Sequence, residues 1–262
     1  MSVSPPKVDA APAPPTSQVG RLEEEQVRAM FDRIAALYDR MNSVMTAGLH
    51  RSWRRRAAEL ARVAPGDRVL DVATGTGDLA LELADRVAPG GEVVGIDFSQ
   101  RMLAIARAKA RTSGEPDVTV SFQAANALAL PFATNEFASA TVGFGARNFA
   151  DLGRGLAEMV RVVRPGGRVV VLEITTPRRP PLSTFFEMWF DRVVPVLGRL
   201  AGDAAAYTYL PSSVRRFPGP GQLAEYMARS GLCDVRYFVT GGGIVALHVG
   251  MVGLDASRED AR

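Results

Sequence analysis

The run Arg68-Val69-Leu70-Asp71-Val72-Ala73-Thr74-Gly75-Thr76-Gly77-Asp78 constrains this chain more than any other. A β-branched stretch enters a turn punctuated by glycine, and the amphipathic run 79–87 leaves it. The pattern predicts a strand, a tight loop and the start of a helix. Glycines let such a loop approach a ligand closely, and the loop amides and helix N-terminus present donors to it. A dinucleotide-binding loop wants a third glycine further into the helix. Here Asp78 follows Gly77 and the helix positions hold Leu and Ala, so no pyrophosphate turn is evident. A loop fitting an adenosyl amino acid, with no phosphate to hold, is the better reading.

Around this loop the chain alternates. Strands are expected at 68–72, 92–97, 118–123, 137–142 and 168–174, with helices at 78–87, 100–111 and 152–163 between them. Such alternation argues for a parallel sheet with helices on both faces. A helix at 221–230 and two strands, 235–239 and 244–252, complete the series. The turn Gly241-Gly242-Gly243 makes these last strands an antiparallel hairpin, for seven strands in all. Ahead of the sheet, a helix begins near Leu22 with acidic residues in its first turn, which suits the helix dipole. Val27, Met30, Phe31 and Ile34 give it a buried face. Residues 38–53 then mix aromatics, acids, an Asn and a His without a period, and a second helix spans about 50–63. An Arg/Pro-rich stretch, 177–181, leads into an apolar, aromatic helical pattern at 182–200, interrupted by charges and kinked by Pro195. It reads as a lid and not as a span.

The expected organisation is a Pro-rich disordered tail (1–20), one domain (21–254) and a charged tail (255–262). Within the domain, 21–64 form a helical cap and 177–217 a lid insertion. Hydrophobic residues make up 47% and charged residues 23% of the 262, enough for one well-buried domain with room for an insertion. The net charge of +3 rests on arginine, the only lysines being Lys7 and Lys109. This slight excess fits nucleic acid, an anionic membrane surface, or only the base composition of a GC-rich genome. The single cysteine, Cys233, excludes an intramolecular disulfide and a Cys-based metal site. No secretory pattern is visible and no apolar run is long enough to span a bilayer, so the expected place is the cytoplasm. No His/Asp/Glu cluster has metal-ligand spacing.

Four positions stand out as chemistry. Asp97 ends the second strand, where an acid can accept hydrogen bonds from both hydroxyls of a ribose. Its alternative is a helix cap, although Ser99 can serve that purpose. Asn126-Ala127 returns to the same crevice and could hold adenine by side chain and backbone, or be a solvated loop. Arg147, in Gly143-Phe144-Gly145-Ala146-Arg147-Asn148, follows the fourth strand, where ligands of open α/β sheets bind. It could steady an anionic oxygen, or pair with Asp151 at the surface. His50 and His248 are the only histidines, each an acid/base candidate or a structural residue.

Two signatures identify a family. One is Tyr38-Asp39-Arg40-Met41-Asn42 through His50 and Trp53; the other is Arg161-Val162-Val163-Arg164-Pro165-Gly166-Gly167 through Leu172-Glu173. With the Gly loop, Asn126-Ala127, Phe144-Gly145-Ala146-Arg147-Asn148 and Val245-Ala246-Leu247-His248, residues 25–251 resemble the ubiquinone/menaquinone biosynthesis C-methyltransferases. Departures are mild: Thr46 and Thr175 stand for a usual Ser and Arg164 for a usual Lys. Gly143 stands where some members carry a Ser that touches the cofactor.

The resemblance implies a Rossmann-like class I methyltransferase fold and S-adenosylmethionine (S-adenosyl-L-methionine) as cofactor. It places cofactor contacts on Thr76, Asp97, Asn126 and Ala127, and a quinol pocket on Tyr38, Asp39, Asn42 and His50. Arg147 is the implied catalytic residue, steadying a phenolate. The implied partners are a polyprenyl quinol, the inner face of a membrane through peripheral contact, and a second copy of the chain as a homodimer. Demethylmenaquinol is favoured over the methoxybenzoquinol of ubiquinone synthesis. Another small-molecule methyltransferase and a non-enzymatic cofactor-binding subunit of a quinone-synthesis complex stay open. Nucleic acid is disfavoured, because no Asn-Pro-Pro-Tyr motif and no basic patch with aromatics occurs.

Overall fold

The structure is a computed structural model and describes residues 24–113, 117–177, 180–189, 192 and 204–254. In chain order it runs α1 (Glu24–Met45), α2 (Leu49–Leu60), β1 (Arg68–Val72), α3 (Asp78–Val87), β2 (Glu92–Asp97) and α4 (Gln100–Ser113). Then come β3 (Thr119–Ala124), β4 (Phe137–Gly143), α5 (Leu152–Val162) and β5 (Val163–Ile174). The chain closes with α6 (Leu182–Met188), α7 (Ala204–Arg216), α8 (Pro220–Arg229), β6 (Leu232–Thr240) and β7 (Val245–Val252).

These strands form one sheet in the order β3-β2-β1-β4-β5-β7-β6. The first five are mutually parallel, and β7 is antiparallel to both of its neighbours. β1 sits inside because both of its faces are apolar. Val69 packs with α2, α3 and α4 through Ala57, Leu83 and Leu103, while Leu70 faces α5 and α8 through Leu156 and Met227. Alternate strand residues thus feed two separate cores, one on each face. The seven strands, the mostly parallel sheet, the terminal hairpin and the helices on both faces agree with the sequence reading.

Three local differences have physical reasons. The non-periodic segment 38–45 is helical, because α1 runs unbroken to Met45. Its residues face two different cavities, which erases a single apolar stripe. Strand β5 begins at Val163, earlier than expected, because Arg164 to Gly167 bulge between the pairings Phe137–Val163 and Ser139–Arg168. A Cβ on Gly167 would stand 2.4 Å from the Ala138 carbonyl oxygen, so only glycine lets the strand resume there. Helix α7 falls inside the expected lid insertion, where the sequence pattern set out no separate helix, and it carries Pro211 within it. The tails 1–20 and 255–262, and the lid pattern at 190–191 and 193–200, lie outside the described residues.

The Gly loop is held from behind. Gly77 has φ +85°, and a Cβ on it would lie 2.9 Å from Ala106 Cβ and 3.0 Å from Phe122 Cζ. Gly75 has φ +57°, but a Cβ there would meet nothing within 4 Å, on the side that opens toward the crevice. Gly75→Ala should therefore cost about 1–2 kcal/mol, the strain of a left-handed alanine. Gly77→Ala, with the added clash, should cost roughly 1–3 kcal/mol more. Urea unfolding midpoints of the two variants check this order.

Candidate active site

The sheet reverses its winding between β1 and β4, and crevices in open α/β sheets form at such points, beyond the carboxyl ends of the strands. Here the crevice is lined by Thr74 and Gly75 after β1, Asp97 and Phe98 at the end of β2, Asn126 and Ala127 after β3, and Gly143 to Gly145 after β4. Phe31 and Tyr38 of α1 complete it. Asp71, fully buried, accepts hydrogen bonds from the hydroxyls of Thr74 and Thr141, each at 2.7 Å. It ties the loop after β1 to β4, and burial pushes its pKa up to about 6.

Asp97 accepts from the amides of Gly75 and Ser99, both at 2.9 Å. Burial pushes this carboxyl up to about 6 as well. Ser99 is the cap of α4, its hydroxyl accepting from the Met102 amide at 3.2 Å. The Asn126 carboxamide oxygen accepts from the Leu128 amide at 2.8 Å, which shapes the loop that brings Asn126 and Ala127 to the crevice. Thr76 lies differently. Its side chain is directed away, donating to Asp39 Oδ1 at 2.6 Å and accepting from Lys109 Nζ at 3.1 Å.

A second cavity, of about 360 Å³ and mostly apolar walls, adjoins the crevice. Phe31, Tyr38 and Phe144 belong to both. Met30, Ile34, Met41 and Met45 of α1, Trp53 of α2, Phe186 and Trp189 supply apolar surface. Its polar groups are few: Tyr38, Asn42, Thr46, His50, Arg147 and Tyr209. The cavity thus gathers Tyr38, Asn42, His50 and Arg147, four of the residues singled out from the sequence. Asp39 does not join them. It lies on the opposite side of α1, in an open polar groove, paired with Lys109 at 2.6 Å. Lys109 also pairs with Asp78 at 2.5 Å, and Asp78 with Arg54 at 2.8 Å. Burial alone would raise the Asp78 carboxyl, but Arg54 and Lys109 overcome this and hold it below its ordinary value.

Arg147 is not a surface partner of Asp151, which instead caps α5 by accepting from the Arg154 amide at 3.0 Å. Arg147 is buried and pairs with Glu173 of β5 at 2.7 Å. It also donates to the Phe144 carbonyl, while its Nε has no hydrogen-bond partner among the described residues. Burial disfavours its charge, but Glu173 outweighs this, aided by Tyr38 and Tyr209, so the guanidinium stays charged. Glu173 received no role from the sequence. A lone carboxylate in the apolar strand Val169-Val170-Val171-Leu172-Glu173-Ile174 was the available signal, because a buried charge needs a partner. Tyr209, whose hydroxyl donates to Asn148 at 3.1 Å, belongs to α7, a helix the sequence pattern did not foretell.

His248 lies away from both cavities. It bonds the Pro220 carbonyl at 2.9 Å and stacks on Tyr237, which ties β7 to the start of α8. No helix among the described residues is long and apolar enough to cross a membrane.

The sheet order and the crevice at its switch point define a Rossmann-like α/β domain of the class I methyltransferase type. Solved structures share the fold. The [4+2]-cyclase SpnF matches with a TM-score of 0.66 at 20% identity, over 88% of this chain and 97% of that one. A SAM-dependent methyltransferase, possible histamine N-methyltransferase, of Thermotoga maritima matches with 0.59 at 18%, over 85% and 98%. The chain itself belongs to the ubiE/COQ5 methyltransferase family, whose sequence profile matches residues 19–252. It is 49% identical to the demethylmenaquinone methyltransferase of Thermus thermophilus, over 84% of this chain and 99% of that protein. It is 42% identical to the ubiquinone/menaquinone biosynthesis C-methyltransferase UbiE of Geobacter sulfurreducens, over 88% and 90%.

Asp97 makes a pH prediction. Its folded pKa, about 6, lies above the ordinary 3.8. The folded state therefore binds the proton more tightly, and ionisation opposes folding as pH rises from 4 to above 6. Asp97→Asn removes that penalty. Relative to the wild type, the variant should gain stability of the order of 2 kcal/mol between pH 4 and 7. Chemical denaturation at both ends of that range measures it.

Proposed function

We propose that this chain transfers the methyl group of S-adenosylmethionine to a ring carbon of a polyprenyl quinol, with demethylmenaquinol as the acceptor. One observation carries this reading: a crevice at the strand ends that holds Asp97, Asn126 and the Gly75 loop meets a mostly apolar cavity at Tyr38 and Phe144, with the buried Arg147 in the cavity wall. A charged, water-soluble cofactor suits the first, and a lipid quinol the second.

The donor set of the crevice fits the cofactor. Asp97 is bonded only to backbone amides and keeps lone pairs for ribose hydroxyls. Asn126 and Ala127 would hold adenine, and the open face of Gly75 would lie along the amino-acid portion. Thr76 would contribute by fixing the loop, since its hydroxyl is committed to Asp39. When bound, S-adenosylmethionine supplies an electrophilic methyl on a sulfonium centre. The chain's own work is to align, charge-stabilise and dry the acceptor. The Arg147 guanidinium, held by Glu173, would steady the negative oxygen that makes the ring carbon nucleophilic. Tyr38 and Asn42 would bound the quinol head, with His50 beside them, and the methionines and aromatics of α1, α2 and α6 would receive the prenyl chain.

Residues 21–64 act as a cap and 177–217 as a lid in this reading, within one domain. The α1–α2 turn exposes Val44 (62%) and Leu49 (52%) at the cavity, a surface suited to the inner face of a membrane from a cytoplasmic side. Pairing of two copies as a homodimer is compatible with it. Relatives from Thermus thermophilus and, at 46% identity, Deinococcus radiodurans carry the demethylmenaquinone name, which favours that acceptor over the ubiquinone precursor.

The purified protein with S-adenosylmethionine and demethylmenaquinol in detergent should yield menaquinol by mass spectrometry. Cofactor binding without turnover of either quinol would leave the scaffold reading standing instead. Arg147→Ala alone would leave Glu173 buried and unpaired, at about 3–5 kcal/mol. The double variant Arg147→Ala, Glu173→Gln avoids this and should lower kcat roughly 100-fold, the scale of losing one preorganised donor. Undiminished turnover with intact cofactor binding removes Arg147 from the mechanism.

A further inference from the structure

Methylation of a ring carbon replaces hydrogen by methyl, so each turnover releases one proton. In the proposed reaction the quinol hydroxyl gives up its proton and the ring carbon bonds to the methyl. The electron pair of the breaking carbon–sulfur bond passes to sulfur, and loss of the ring C–H proton restores the aromatic ring and reprotonates the oxygen. The balance is one proton to be carried from an apolar cavity to water. Arg147 does not fit this task, because Glu173 holds it charged.

His50 is placed differently from every other polar group of the cavity. It belongs both to the apolar cavity, with Tyr38 and Arg147, and to the open polar groove on the other side of α1 and α2. Arg51, Arg54, Asp39, Asp78 and Lys109 line that groove. The ring therefore stands in the wall between lipid substrate and bulk water.

Hydrogen-bond accounting assigns its tautomer. The Thr46 hydroxyl has one proton, and its short contact to the Asn42 carbonyl, 2.7 Å, takes it. The 2.8 Å contact between Thr46 Oγ1 and His50 Nδ1 must then run the other way, with Nδ1–H donating. This leaves the basic lone pair on Nε2, which makes no hydrogen bond among the described residues. Burial, then the nearby Arg54, holds the His50 pKa below 6.5, so the ring is neutral near pH 7 and ready to accept.

Resting on the polyprenyl quinol reading above, we infer that His50 is the proton acceptor of the reaction, taking the quinol hydroxyl proton on Nε2 and discharging it to the water of the groove. Thr46 is its positioning residue, holding the tautomer that leaves the lone pair on Nε2.

His50→Gln tests the inference at saturating cofactor and quinol. Its kcat should fall about 100-fold, the usual scale for general base catalysis, with the affinity for S-adenosylmethionine unchanged. The ratio of wild-type to His50→Gln kcat should fall on the acid side, as the ring takes a proton before substrate does; Asp71 and Asp97 titrate in both proteins and cancel in that ratio. His50→Ala should regain activity with added imidazole. A His50→Gln kcat within threefold of the wild type overturns the inference. Should the His50 variants fail to fold, Thr46→Val decides, since a kcat equal to the wild type would show that the ring's tautomer does not matter and also overturns it. Wild type without turnover of any quinol removes the substrate reading and this inference together; wild-type turnover with an equally fast His50→Gln removes this inference alone.

Discussion

The Asp71 carboxylate is the constraint on which the site depends. It is fully buried at the end of β1, where an ionisable group is costly, and two threonine hydroxyls answer it. One hydroxyl comes from the loop that follows β1 and the other from β4, the next strand across the switch point. The loop is thereby fastened to the strand beside it, and its open glycine is presented at a set height over the sheet. Asp97 repeats the device from β2, gripping the Gly75 amide from the opposite side. Two buried acids hold one short loop, and the crevice is the space between them.

The cap is joined to this frame by polar contacts and not only by apolar packing. Asp32 of α1 accepts from the Ser99 hydroxyl at 2.6 Å, at the start of α4. Asp39, two turns on, accepts from Thr76 and pairs with Lys109. Between these anchors Phe31 and Tyr38 reach the crevice, and on the far side the methionines of the same helix border the apolar cavity. One helix thus forms a wall of both spaces, which is why a cofactor loop and a lipid pocket can share an edge.

The sheet was legible because its residues obey local rules. Apolar strands, glycine turns and amphipathic helices are each specified within ten residues or so, and their alternation leaves few topologies. Asp97, Asn126 and Ala127 were legible for the same reason, since the end of a strand can be read from its pattern. Thr76 and Asp39 show the limit. Both belong to informative motifs, but a motif does not state which way a side chain turns, and these two turn toward each other. The α1 segment around Tyr38 looked irregular because it serves two cavities.

By itself, the sequence determined the parallel sheet, the switch-point crevice, the family and four of the six polar residues that gather around the cavity. Only the tertiary structure decided the pairings: Arg147 with Glu173, Asp39 with Thr76 and Lys109, and His50 with Thr46 in a wall shared by cavity and groove. Backbone pattern is set by contacts along the chain. The pairing of buried charges is set by which elements the packed sheet brings within hydrogen-bond distance, and Arg147 and Glu173 are 26 residues apart before folding makes them neighbours.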